Sequence, residues 1–156
     1  MTGLRFFTVY GPLGRPDMAY FKFANRMVKG EKIQIYNYGD MYRDFTYIDD
    51  IVKGILKVMD RVPSKDERDA MYRIYNIGNH KPENLMHFLD VLENSLLEAG
   101  VIRNKVEREL LPMQPGDVYQ TFADVEDLRR DFGFVPATNL EEGLRNFAKW
   151  YKEYYG

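Results

Sequence analysis

Residues 4–10, Leu-Arg-Phe-Phe-Thr-Val-Tyr, are almost continuously apolar or β-favouring and are stopped by Gly11 and Pro12. A run of this kind suits a strand buried on both faces of a parallel sheet better than a strand with one wet face, which would alternate apolar and polar residues. A buried parallel strand needs hydrogen-bonding neighbours at its edges and helices across its faces. The remaining chain supplies few of them, so the sheet expected here is incomplete.

Asp17 can cap a helix running to about Lys29, in which Met18, Phe21, Ala24, Met27 and Val28 form an apolar stripe and Gly30 suits the position past the end. Residues 33–36 read as a short strand, Tyr38-Gly39-Asp40 as a turn and residues 43–48 as another extended piece. Asp49 or Asp50 can cap the next helix, which is expected to bury Ile51, Ile55, Leu56 and Met59. Residues 63–69 are charged and turn-rich, a surface connection, and residues 72–77 resume as a strand ended by Gly78 and Asn79.

Asn84 can cap a long helix with Leu85, Phe88, Leu89, Leu92 and Leu96 on one face, ending near Gly100. Residues 106–111 suit a short strand, residues 112–116 an irregular loop, and residues 124–132 a helix stopped by Gly133. In the last helix Asn139 and Glu142 have capping-box spacing ahead of Leu144, Phe147, Ala148 and Tyr151. Strands alternating with helices argue for an α/β fold, and the short later strands fit a small mixed subdomain better than a complete doubly wound sheet.

Composition sets the outer bounds. With 156 residues, 45% hydrophobic and 15% aromatic, there is apolar material for one packed core, so residues 1–156 are read as a single domain. A net charge of −2 without basic runs gives no support to nucleic-acid or membrane-surface partners. The absence of cysteine excludes disulfides and thiolate metal sites, and His80 and His87 alone make a poor metal site. No signal-like start and no apolar run near the ~18 residues of a membrane span are present, which makes the cytoplasm the simplest compartment.

Several residues admit two readings. Arg15 is either a solvated loop arginine or an anion ligand displayed after a buried strand, since a guanidinium binds phosphate through two parallel hydrogen bonds. Arg43 can form a strand-end ion pair with Asp44 or face a ligand. Thr8 fills a strand by pattern, Tyr10, Gly11 and Pro12 form a plain strand-ending turn, and Tyr36 and Asn37 are an aromatic strand end. Asp117 accepts hydrogen bonds either from a ligand or from its own turn. Asp49 and Asp50, adjacent at a helix entrance, do not face one target and read as capping residues rather than an acid/base pair.

Four windows carry a resemblance: GLRFFTVYGPLGRPDM at residues 3–18, RDFTYIDDIV at 43–52, YNIGN at 75–79, and PGDV with AD at 115–124. In this order and spacing they resemble the C-terminal half of extended short-chain dehydrogenases acting on nucleotide sugars, most closely the UDP-glucuronate 4-epimerase branch, over nearly the whole chain. The resemblance implies the C-terminal part of an extended Rossmann-type fold, with one or more parallel strands plus a small mixed α/β substrate-binding subdomain. It implies a UDP-sugar as partner and NAD as cofactor of the intact enzyme, which oxidises C4 of the sugar and returns the hydride to the opposite face, with UDP-glucuronate to UDP-galacturonate as the implied parent reaction.

By the same resemblance Arg15 faces the nucleotide, Arg43 contacts the diphosphate, Thr8 helps receive the sugar carboxylate, the stretch holding Tyr36 and Asn37 meets the uracil, and Asp117 meets the ribose. Tyr10, Gly11 and Pro12 line the cofactor and substrate cleft. Where many relatives carry arginine just before the PGD element this chain has Gln114, which brings no charge.

The family's chemistry uses a Tyr-x-x-x-Lys pair, and no tyrosine here has lysine four residues later. The glycine-rich NAD turn is also missing: Gly11 and Gly14 begin the spacing, but Asp17 stands at the third position. The expectation is therefore a shortened chain without catalytic residues of its own, inactive alone and partnered by an absent N-terminal NAD-binding half, with self-association through an exposed sheet edge as a further outcome. The alternatives are another nucleotide-sugar epimerase or 4,6-dehydratase, or a non-catalytic nucleotide-binding or interaction module.

Overall fold

The computed structural model describes residues 1–65 and 71–156. In chain order these form β1 (Thr2–Phe6), β2 (Thr8–Tyr10), α1 (Ala19–Lys29), β3 (Ile33–Ile35), a 3-10 turn (Tyr36–Gly39), β4 (Tyr42–Tyr47) and α2 (Ile48–Met59). They continue with β5 (Arg73–Ile77), β6 (Pro82–Asn84), α3 (Leu85–Glu98), β7 (Arg108–Leu110), α4 (Glu126–Phe132) and α5 (Leu140–Tyr155). Strands β1 and β5 pair in parallel, as do β2 with β4 and β3 with β7, while β6 runs antiparallel on β4. The α/β organisation expected from the alternation of elements is present, with parallel and mixed pairing.

The first strand departs from the expected single buried run. It breaks at Phe7, whose N–H reaches the Ile77 carbonyl at 3.4 Å, so that residues 2–6 pair with β5 and residues 8–10 with β4. Arg5 and Phe6 are exposed, and of residues 4–10 only Tyr10 is buried. Among the described residues no layer covers the outer part of β1, which is why burial is confined to the end that meets the helices.

Capping follows the sequence where the partners are local. The Asn84 side chain accepts from the Met86 and His87 N–H groups, and Asn139 accepts from Glu142 N–H at 2.8 Å, so α3 and α5 start where the sequence places them. Gly30 closes α1 in the left-handed conformation, with φ 68°. Asp17 does not cap α1, because its carboxylate is engaged by Arg15 and Met18 occupies the cap position without a side-chain bond.

Helix α2 is the larger correction. It begins at Ile48 behind Tyr47 with no side-chain cap, and Asp50 turns inward to accept from the Ala137 and Thr138 N–H groups at 3.1 and 2.8 Å. The buried face is Ile51, Gly54 and Val58, whereas Leu56 and Met59 are 56% and 73% exposed. The flat surface at Gly54 lets Phe134 and Ile77 approach closely, and this orients the helix away from the face that apolar spacing suggested. The expected surface connection at 63–69 falls partly on residues 66–69, outside the described residues.

Two clusters make the core. The larger packs α1, α3 and α5 through Phe21, Phe88, Leu92, Leu144 and Phe147, and Tyr10 reaches into it from β2 with edge-on contacts to Tyr20, Phe45, Tyr47 and Phe88. The smaller joins Ile51 and Val58 of α2 to Tyr75 and Ile77 of β5 and Leu128 of α4. Buried Glu93 on α3 fixes β7 by accepting from Val106 N–H at 3.0 Å and pairing with Arg108 at 2.8 Å.

Candidate functional site

Strand pairing creates the site. With β2 parallel to β4, Thr8 lies opposite Phe45, two residues along the same face from Arg43. The opposite alternation sends Asp44 to the other face, where it is fully buried and accepts backbone N–H bonds from Asn79 at 2.7 Å, His80 at 3.1 Å and Ala123 at 2.9 Å. The expected alternative of an Arg43–Asp44 ion pair is thus excluded by the pleat. Burial raises the Asp44 carboxyl above the usual carboxylate range, opposed by those three N–H donors.

Thr8, Tyr36, Arg43 and Asp117 line one cavity of about 290 Å³, walled on its apolar side by Met18, Phe23, Phe45 and Phe88. Arg43 donates to the carbonyls of Tyr42 at 2.8 Å and Tyr119 at 3.2 Å, and among the described residues it has no carboxylate in ion-pair contact. Burial pulls its guanidinium below the ordinary arginine value while Asp117 pushes it back up, leaving a cation whose charge is only partly answered. Asp117 donates its own N–H to the Gln114 carbonyl at 3.1 Å, so the turn is closed by backbone and the carboxylate is not consumed in closing it.

The other candidates are elsewhere. Arg15, Gly11 and Pro12 line an adjoining cavity of about 390 Å³ that shares Met18 and Tyr20 with the first. Arg15 is held by Asp17 through Nε at 3.0 Å and Nη2 at 2.5 Å. Tyr10 borders this second cavity too, but its ring lies in the core, 2% exposed, with its hydroxyl donating to the Asn139 carbonyl at 3.4 Å. Asn37 lines neither cavity; at φ 47° it donates from its side chain to the Asp40 carbonyl and shapes the turn after β3.

Gln34 lines the Arg43 cavity and was not among the residues singled out from sequence. The signal was available: between buried Ile33 and Ile35 its exposed side chain points to the wet face of the strand. Tyr119, whose carbonyl accepts from Arg43 and whose hydroxyl donates to Asp40 at 3.2 Å, carried no such signal because its partners are distant in the chain.

The fold and this cleft define a protein of the α/β Rossmann type. The UDP-glucuronic acid 4-epimerase of Bacillus cereus, solved in complex with UDP-glucuronic acid and NAD, superposes with a TM-score of 0.80 at 29% identity, covering 97% of this chain and 45% of that one. The model of the NAD dependent epimerase/dehydratase family matches residues 1–78, and the chain belongs to that family. It is 47% identical over 165 residues to UDP-glucuronate 4-epimerase 1 of Arabidopsis thaliana, covering 100% of this chain and 37% of that protein. Protein CapI of Staphylococcus aureus is 44% identical over 165 residues, covering 99% of this chain and 48% of that protein. The chain spans about half the length, or less, of these relatives.

A dinucleotide needs a turn whose missing Cβ atoms leave room for pyrophosphate. At Gly11 (φ 137°) an added Cβ would meet Ile48 at 2.6 Å, and at Gly14 it would meet the Tyr20 hydroxyl at 1.6 Å. The chain's own side chains fill that room, so this turn does not fit the NAD pyrophosphate. No helix among the described residues is long and apolar enough to cross a membrane.

Proposed function

We propose that this chain carries the nucleotide-sugar-binding part of a UDP-glucuronate 4-epimerase-like enzyme, with UDP-glucuronate to UDP-galacturonate as the parent reaction. The observation that carries the reading is the convergence of Thr8, Tyr36, Arg43 and Asp117, from four separate segments, on one mostly apolar cavity. Arg43 offers a cation without a carboxylate partner for a phosphate, and a charge-assisted, bidentate bond suits that task. Asp117 accepts from ribose hydroxyls, and the end of β3 at Tyr36, with Asn37 shaping the turn behind it, receives the base. Thr8 donates a hydroxyl to the sugar carboxylate, and Arg15 reaches the ligand from the adjoining cavity.

Epimerisation needs a tight hold on the nucleotide and a loose one on the sugar, which must present both faces to the hydride carrier. Charged and backbone groups serve the first need, and a single rotatable hydroxyl at Thr8 serves the second. NAD is named as bound by the Bacillus cereus enzyme; for the parent enzyme it is the proposed hydride carrier, and none of its contacts is assigned to this chain's glycine turn. With no Tyr-x-x-x-Lys pair in the 156 residues, the chain alone is inactive in this reading and residues 1–156 act as one substrate-binding unit.

Calorimetric titration with UDP-glucuronate and UDP tests it, with NAD and an Arg43→Ala chain as controls. Saturable UDP binding, weakened at least tenfold by Arg43→Ala and unmatched by NAD, is the expected result. A folded chain that binds neither UDP nor UDP-glucuronate would overturn it.

A further inference from the structure

Arg15 is not an empty fork. Its Nε donates to Asp17 Oδ1 at 3.0 Å and its Nη2 to Asp17 Oδ2 at 2.5 Å, the two-point arrangement in which a guanidinium also binds a phosphate. Both side chains are exposed, 74% and 60%, so no packing holds the pair together and a ligand can reach either partner. Arg43, by contrast, is hydrogen-bonded by carbonyl oxygens and among the described residues has no carboxylate in ion-pair contact, Asp117 acting on it only at longer range. The two arginines border adjoining cavities, since the cavity that Arg15 lines shares Met18 and Tyr20 with the Arg43 cavity.

Resting on the nucleotide-sugar reading above, we infer that Asp17 is an internal competitor for the anion that Arg15 binds, and that it sets which ligands engage the second cavity. A ligand must displace one carboxylate from the Arg15 fork before its own anionic group can sit there. A ligand that stops at Arg43 has no ion pair to displace among the described residues. The cost falls selectively on molecules whose second anionic group extends past the first cavity. Asp17 thereby limits affinity for the full ligand while keeping the fork oriented and filled when no ligand is present.

The test compares the wild-type chain with Asp17→Asn, Arg15→Ala and the Asp17→Asn/Arg15→Ala double variant, each checked for unchanged circular dichroism. UDP, uridine and inorganic pyrophosphate are the probes. Removing a solvent-exposed partner predicts tighter UDP and pyrophosphate binding in Asp17→Asn by about 1.5- to 5-fold, uridine unchanged, and no gain in the double variant. Unchanged or weaker UDP and pyrophosphate binding in Asp17→Asn, with Arg43→Ala still weakening UDP binding at least tenfold, would sink the inference while leaving the nucleotide reading standing. No UDP binding in any chain, with pyrophosphate still gaining in Asp17→Asn, would remove the nucleotide reading and leave Asp17 as a competitor for anions. An equal gain in the double variant overturns the inference, because the effect would then not pass through Arg15.

Discussion

Asp44 shows how one residue organises the cleft without facing it. Both carboxylate oxygens are committed as acceptors, Oδ1 to Asn79 N–H and Oδ2 to the N–H groups of His80 and Ala123. An amide cannot replace this, because either orientation of Asn turns an N–H₂ group toward a backbone donor. Asp44→Asn is expected to lose ~2 to 3 kcal/mol of stability, read from urea unfolding, through donors left buried without an acceptor. Part of this was legible: strand alternation after Arg43 sends the next side chain inward, and an inward carboxylate needs donors. The donors themselves, 35, 36 and 79 positions away, leave no local trace. Asp50 is the same case, since its role at Ala137 and Thr138 could not be distinguished from capping by spacing alone.

Among elements, α3 and α5 were the most readable because cap, stripe and stop are all local, and α2 the least because both of its faces are apolar. Val52, Leu56 and Met59 lie outward at 46%, 56% and 73% exposure, opposite Ile51 and Val58. The approach of Phe134 and Ile77 at Gly54, together with the inward anchoring of Asp50, decides which face turns in. A second close approach sits in α5, where a Cβ on Gly143 would fall 2.2 Å from the Tyr10 hydroxyl and 2.7 Å from its ring. Helix propensity alone makes Ala better than Gly by ~1 kcal/mol in a helix interior. Gly143→Ala is nevertheless expected to destabilise by ~1 to 3 kcal/mol, because the buried ring must move. Denaturant midpoints settle the sign, and a gain in stability would mean that Tyr10 can give way. The site's four convergent residues were readable only through family resemblance, since nothing local ties Thr8 to Asp117.

At the scale of the molecule, the larger core holds its tyrosines protonated. Burial pushes the Tyr20 hydroxyl from 10.0 up to about 12, and burial raises Tyr10 further, with Tyr47 and Asp50 adding to the effect. The folded state therefore binds protons that the unfolded chain has already released. Stability from this source is complete below pH 10.0, the unfolded value, and declines as pH rises through about 12. Phenolate absorbance from the buried tyrosines is expected to appear together with the loss of near-ultraviolet dichroism, in one cooperative step. Separate ionisation ahead of unfolding would show that water reaches these rings in the native state.

The three bonds to Asp44 also set an order in time. The last of them comes from Ala123, and the carbonyl that holds Arg43 comes from Tyr119. During synthesis the chain can complete neither until those residues have left the ribosome, so Arg43 and Asp44 wait for partners made 76 and 79 positions later. A nascent chain that stops short of Tyr119 therefore leaves Arg43 and Asp44 each one backbone partner short.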